Sequence, residues 1–143
     1  MITSILRFSD RVFAPEMAHA HCDVPCGIYN IHAAATAAET VRVLTEKIVA
    51  LDEQNHHDLG FHNTMARLVS VKEEHAGIVK DELQMLWSDY FKPEHLEALP
   101  DLHETIWMAT KLCSTTRREV NLDAAKELEA VVARVGEMME KVR

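Results

Sequence analysis

Apolar residues recur along this chain at helical spacing. Val41, Leu44, Ile48 and Leu51 stand three, four and three apart, which predicts a helix from about Ala33 to Asn55. Asn55-His56-His57-Asp58-Leu59-Gly60 breaks it. A longer helix is predicted from Phe61 to Tyr90, with Met65, Leu68, Val71, Ile78 and Leu86 on its buried side and His75 among them. Phe91-Lys92-Pro93 ends it, because proline lacks an N–H and disfavours a helical residue before it. A third helical region opens near Pro93, is interrupted at Pro100 and runs to Ser114, with Leu99, Leu102, Ile106, Ala109 and Cys113 as its stripe. Ser114 to Arg118 reads as a polar connection. Asn121 or Asp123 then caps a last helix that faces inward through Leu128, Val131 or Val132, Val135, Met138 or Met139, and Val142. Four amphipathic helices on short links predict an all-α fold, an antiparallel four-helix bundle, in a single domain over 21–143.

Composition agrees with this reading. The chain has 143 residues, enough for one real core, and only 4 glycines and 4 prolines. A net charge of −8 argues against a nucleic-acid partner, since phosphate binding wants a basic face. It also means that any attraction for an anionic substrate has to be local. No apolar run approaches the roughly 18 residues a membrane span needs. Residues 1–20 stand apart from the bundle pattern, and Arg7 and Arg11 interrupt their apolar residues, so they lack a secretory core. They end Ala18-His19-Ala20, which resembles a processing site. A removed leader, a disordered tail, and translation from Met17 are all compatible with that stretch. Cytoplasm is the default location.

The chemistry concentrates in His21-Cys22-Asp23-Val24-Pro25-Cys26-Gly27-Ile28-Tyr29-Asn30, a ligand-dense turn just before the first helix. Thiolate and imidazole donors select late first-row metals over magnesium or calcium. A structural zinc site would want four ligands, and a redox dithiol would want Cys-x-x-Cys in a βαβ context, so both fit poorly. A copper or nickel site fits better. A cysteine beside a free N-terminal residue offers thiolate, backbone nitrogen and terminal amine in small chelate rings, and Cys26 completes an N₂S₂ set with His21 free to approach axially. That set requires His21 to be the N-terminus. Elsewhere, His56, His57 and His62 read as solvated, and Cys113 as a small buried hydrophobe. Trp87 and Trp107 read as core. His75 reads as a buried polar group needing a partner. No Glu-x-x-His pair supports a di-iron site.

The stretch from His21 to Tyr29 resembles the nickel-hook motif of the nickel-containing superoxide dismutases, His-Cys-Asp-x-Pro-Cys-Gly-x-Tyr. Trp87-Ser88-Asp89-Tyr90-Phe91-Lys92-Pro93 resembles a second segment of that family, and Arg67 and Lys72-Glu73 align with it as well. The resemblance implies disproportionation of superoxide to dioxygen and hydrogen peroxide by Ni(II)/Ni(III) cycling. It implies one nickel ion per subunit, a homohexamer of four-helix bundles, and a processing protease that removes residues 1–20. The implied ligands are His21, Cys22 and Cys26. Pro25 would shape the turn, Gly27 would allow close backbone approach, Asp23 and Tyr29 would line the anion pocket, and Tyr90 and Lys92 would surround it. Family members orient the axial imidazole with a Glu and an Arg; here those positions fall on Ala37 and His75, and Asn30-Ile31-His32 replaces an Asp-Pro start. His75 is therefore a candidate for part of that work. The alternative is a non-catalytic nickel or copper storage protein, and a thiol-redox module is a weaker third reading.

Overall fold

In the computed structural model, residues 27–54 and 57–143 are described; they contain four long helices and one short one. These are α1 (His32–Asp52), α2 (Leu59–Met85), α3 (His95–Ala98), α4 (Leu102–Arg118) and α5 (Leu122–Lys141), with a π-helical turn, Leu86–Tyr90, extending α2. α1 packs on α2 and α5, and α4 packs on the same two, so the long helices close a four-membered ring. The expected all-α, antiparallel four-helix bundle is the observed fold.

The core is made of small and branched residues that let the helices approach. Ala34, Ala37, Ala38 and Val41 of α1, Ala76, Val79, Leu83 and Leu86 along α2 and its π-helical turn, Leu102, Ile106, Ala109 and Cys113 of α4, and Leu128, Val132 and Val135 of α5 all belong to one buried cluster. Local chemistry sets the helix starts. The Asp58 carboxylate accepts from the Phe61 N–H at 2.7 Å, so α2 begins at Leu59 and Gly60 lies inside the helix, not in the break expected before it. Asn121 is the cap of α5, its Oδ1 accepting from the Ala124 N–H at 3.0 Å.

Three expectations are corrected. The buried side of α2 is Lys72, Ala76, Val79, Leu83 and then Leu86; Val71 and Ile78 are 38% and 37% exposed. α4 continues through Ser114 to Arg118, because Thr116 turns inward and bonds the Leu112 carbonyl at 3.0 Å. Trp87 and Trp107 lie outside the core, 47% and 57% exposed.

A lysine on the inner stripe of α2 explains why the end of α4 is fixed. Lys72 is 1% exposed, and its Nζ donates to the carbonyls of Thr116, of Arg117 at 3.4 Å and of Glu119 at 3.1 Å. These are the orphan acceptors at a helix C-terminus, where the macrodipole also favours a cation. Burial lowers the pKa of Lys72, and the nearby Glu73 works in the opposite direction. Replacing Lys72 with Met keeps the stem and leaves buried carbonyls without a donor, and urea denaturation is expected to show a loss of about 1–3 kcal/mol. Unchanged stability would show that water serves those carbonyls equally well.

Candidate metal centre

The described chain enters at Gly27, whose φ of +92° is a conformation other residues adopt only under strain. Among the described residues, a Cβ built there would meet nothing within 4 Å, so within them the backbone angle alone calls for glycine. Asn30 then closes the turn on both sides: its Nδ2 donates to the Ile28 carbonyl at 3.0 Å and its Oδ1 accepts from the His32 N–H at 2.9 Å. That second bond satisfies one orphan donor at the start of α1, the role a cap side chain performs. Asn30 thus supplies the stop and start that an Asp-Pro pair would otherwise give.

Two side chains fasten this segment to the bundle. Ile31 packs over Gly136 of α5, so closely that a Cβ there would stand 3.2 Å from Ile31 Cγ2. Tyr29 is partly buried against the core, its ring 6.1 Å from that of Tyr90 and tilted by 57°.

Tyr90 reaches this position through the π-helical turn. The Phe91 N–H bonds the Leu86 carbonyl five residues back, at 3.0 Å, which widens the last turn of the long helix. Tyr90 Oη donates to the Met139 carbonyl at 3.4 Å, and its ring lies 5.1 Å from Phe91 and 6.3 Å from His95. His95 accepts at Nδ1 from the Lys92 N–H at 3.2 Å, while the Lys92 side chain is exposed beside the cluster. His95 is a residue that the sequence expectations did not single out. The available signal was its place at the start of a short helix, three residues after Lys92.

The other expected site residues divide. His21, Cys22, Asp23, Pro25 and Cys26 lie outside the described residues, as does His56. Ala37 is buried in α1. His75 is not on the inner stripe; it is partly exposed at its edge, with Nδ1–H donating to the Val71 carbonyl at 2.9 Å. His57 and His62 are exposed, as expected. Arg67 is exposed too, whereas Lys72 is buried and Glu73 half-buried, so the three aligned positions share no one environment.

A family model described as nickel-containing superoxide dismutase matches residues 16–143. The chain belongs to that family. A superoxide dismutase [Ni] of Streptomyces seoulensis is 42% identical over 108 residues, which are 75% of this chain and 76% of that protein. One of Streptomyces coelicolor is 36% identical over the same shares. A crystal structure of a nickel-containing superoxide dismutase with ligation of the oxidised state superposes with a TM-score of 0.72 at 33% identity, over 85% of this chain and 97% of that one. The protein is thus an oxidoreductase of superoxide with nickel as its cofactor. None of these relatives supports the storage alternative.

The donor chemistry fits that metal. Among the described residues, no group of three or more His, Cys, Asp or Glu could hold a metal ion. Cys113 is fully buried, and burial pushes its thiol up to about 12, against a weaker pull from Lys80. It stays protonated and is unavailable as a thiolate. Because the folded thiol holds its proton above its ordinary 9.0, its contribution to stability is whole below pH 9.0 and fades as pH rises toward about 12. Chemical denaturation across that window should show wild type losing stability faster than Cys113→Ala. Parallel pH profiles would contradict a protonated buried thiol.

Proposed function

We propose that residues 1–20 are removed by a processing protease and that the mature chain, 21–143, binds one nickel ion in the segment 21–29. The amine and imidazole of His21, the backbone nitrogen and thiolate of Cys22, and the thiolate of Cys26 would hold it. Thiolate and amide donors of this kind stabilise the higher oxidation state, so the metal supplies one-electron exchange with superoxide in both directions. The observation that carries the reading is the seating of Tyr29, three residues after Cys26, against Tyr90 at the end of the bundle.

The surrounding residues perform the remaining work. Superoxide is an anion and the chain carries −8, so a local cation must draw it in. Lys92, exposed beside Tyr90, provides that charge at the bundle end. Peroxide formation consumes two protons for each pair of superoxide ions. The Tyr29 phenol, which with Asp23 would line the anion's pocket, would orient the anion and pass it a proton from Oη, which water restores. Tyr90, tied to the Met139 carbonyl, holds the Tyr29 ring in place. His75 keeps its proton on Nδ1 through Val71, leaving Nε2 as an acceptor for the His21 imidazole.

We assign the active form to a homohexamer in the cytoplasm. Val71, Ile78 and Met85, seven residues apart and exposed along α2, form an apolar seam that assembly would cover. Arg7 and Arg11, which break any secretory core, support the location. No helix among the described residues is long and apolar enough to cross a membrane.

Purified mature protein is expected to begin at His21 by mass, to hold one nickel per chain and to disproportionate superoxide. Cys22→Ser and Cys26→Ser should each lose nickel and activity; full activity in either sinks the ligand assignment. His75→Ala is expected to lower nickel affinity or turnover roughly 10–100-fold and to alter the Ni(III) spectrum. An unaltered spectrum and rate would remove His75 from the site.

A further inference from the structure

A groove between the end of α2 and α4 stands open on the surface. It encloses about 560 Å³ and is lined chiefly by Trp87, Ile106, Trp107 and Thr110, with Gln84 and Glu104 at the rim. Trp87 Nε1–H donates to His103 Nδ1 at 2.8 Å, which fixes one wall. A second cavity of about 420 Å³ shares Trp87 and His103 and continues past Phe91 and Leu96. Lys111 lies 5.3 Å over the Trp107 ring at the other edge. The groove is distinct from the Val71–Ile78–Met85 seam. At 100° per residue, Gln84 and that seam fall about 120° to either side of the buried stripe of α2.

The chain itself carries a segment that matches this groove. Ile2, Ile5, Leu6, Val12 and Phe13 fall at helical intervals on one stripe, with only Ser9 interrupting it. Arg7, Asp10 and Arg11 fall off that stripe, giving two cations and one anion to meet Glu104 and Lys111. The family match begins at residue 16, so this pattern is not accounted for by the dismutase body. The described chain begins at Gly27, next to Tyr29 and Tyr90, and Tyr90 adjoins Phe91 at the groove's far end.

We propose that residues 1–13, before processing, dock through their apolar stripe into the Trp87–Trp107 groove of their own chain. The stretch from Phe13 to Gly27 can span up to about 50 Å, and α4 is only about 25 Å long, so reach is no obstacle. A tether of this length sets an effective concentration on the order of mM, so even weak contacts keep the groove filled. Helix-in-groove docking through i, i+3, i+4 anchors is the recognition mode involved. Cleavage after Ala20 removes the tether, and the freed peptide then dissociates by dilution. The leader thereby reports whether the chain has been processed by covering or uncovering a tryptophan-lined face. The docking does not depend on nickel or on turnover, so it stands or falls apart from the dismutase reading.

Trp87 and Trp107 are the only tryptophans in the chain, so their fluorescence reads the groove directly. The unprocessed full chain is compared with its Ile5→Asp, Leu6→Asp double variant, by acrylamide quenching at several protein concentrations. The variant's emission should shift to the red and its quenching constant rise roughly twofold, as two half-exposed indoles lose their cover. Equal quenching in both chains would overturn the proposal. So would protection that grows with protein concentration and persists in the variant, which assigns the groove to a second copy. Should the variant fail to fold, a photocrosslinker at Leu6 of the otherwise native full chain decides: the expected product is intramolecular, to the peptide carrying Ile106 and Trp107. Its absence, or a product only between chains, excludes the docking.

Discussion

A ten-residue segment such as the candidate metal hook is too short to bury a core of its own, so any fixed shape would have to be borrowed from the body it precedes. In this chain the loan is made at residues 29–31. Tyr29 lies against Tyr90, Asn30 bonds the backbone on both sides of itself, and Ile31 packs over Gly136. Three elements far apart in sequence meet there: the start of α1, the π-helical turn and the last turns of α5. Everything proposed for the metal depends on this junction, because donors held on a loose arm would lose the orientation that tight chelation requires.

The junction in turn depends on α2 ending where it does. Lys72 ties the middle of α2 to the last carbonyls of α4, and Leu83 and Leu86 are wholly buried just before the π-helical turn. The wider turn then gives Tyr90 a direction that an uninterrupted α-helix would not. Such turns are frequent at functional sites, where one extra residue per turn re-aims a side chain without breaking the helix. The bundle thereby places one phenol ring beside Tyr29 and one exposed lysine next to it, at the end where the described chain begins.

The four long helices, their order and the buried stripes of α4 and α5 were legible in the residues, since apolar positions recurring at 3.6 are a direct consequence of one-sided burial. In α1 only Val41 and Ile48 of the expected stripe are buried, with Thr45 between them. α2 was misread because its inner stripe contains Lys72, a residue that burial normally excludes unless it is partnered. The partners are carbonyls 44 to 47 residues away, and no local pattern announces them. The same shift of frame moved His75 from the core to its edge. Trp87 and Trp107 were placed in the core on size alone, although large aromatics line surface grooves as readily as interiors. The candidate donors between His21 and Cys26 are contiguous, so they were proposed from residue chemistry alone, and they lie outside the described residues. The Tyr29–Tyr90 contact, joining residues 61 apart, could be suspected only by resemblance.

The altered pair at Ala37 and His75 follows from the cost of burying charge. A carboxylate in place of Ala37, which is 3% exposed, would lie in the core and need a cation beside it. Removing one member of such a pair strands the other, whereas exchanging both for neutral groups is tolerated. Here both positions are changed together: one is a methyl group in the core, and the other an imidazole that satisfies its own Nδ1–H through Val71. In the arrangement proposed above, the electrostatic grip of a Glu–Arg pair would be absent and Nε2 of His75 would be the one acceptor offered to His21. An imidazole of His21 held only in this way would be oriented by hydrogen bonding rather than by charge. Its hold would accordingly be less sensitive to ionic strength than one that rests on an ion pair.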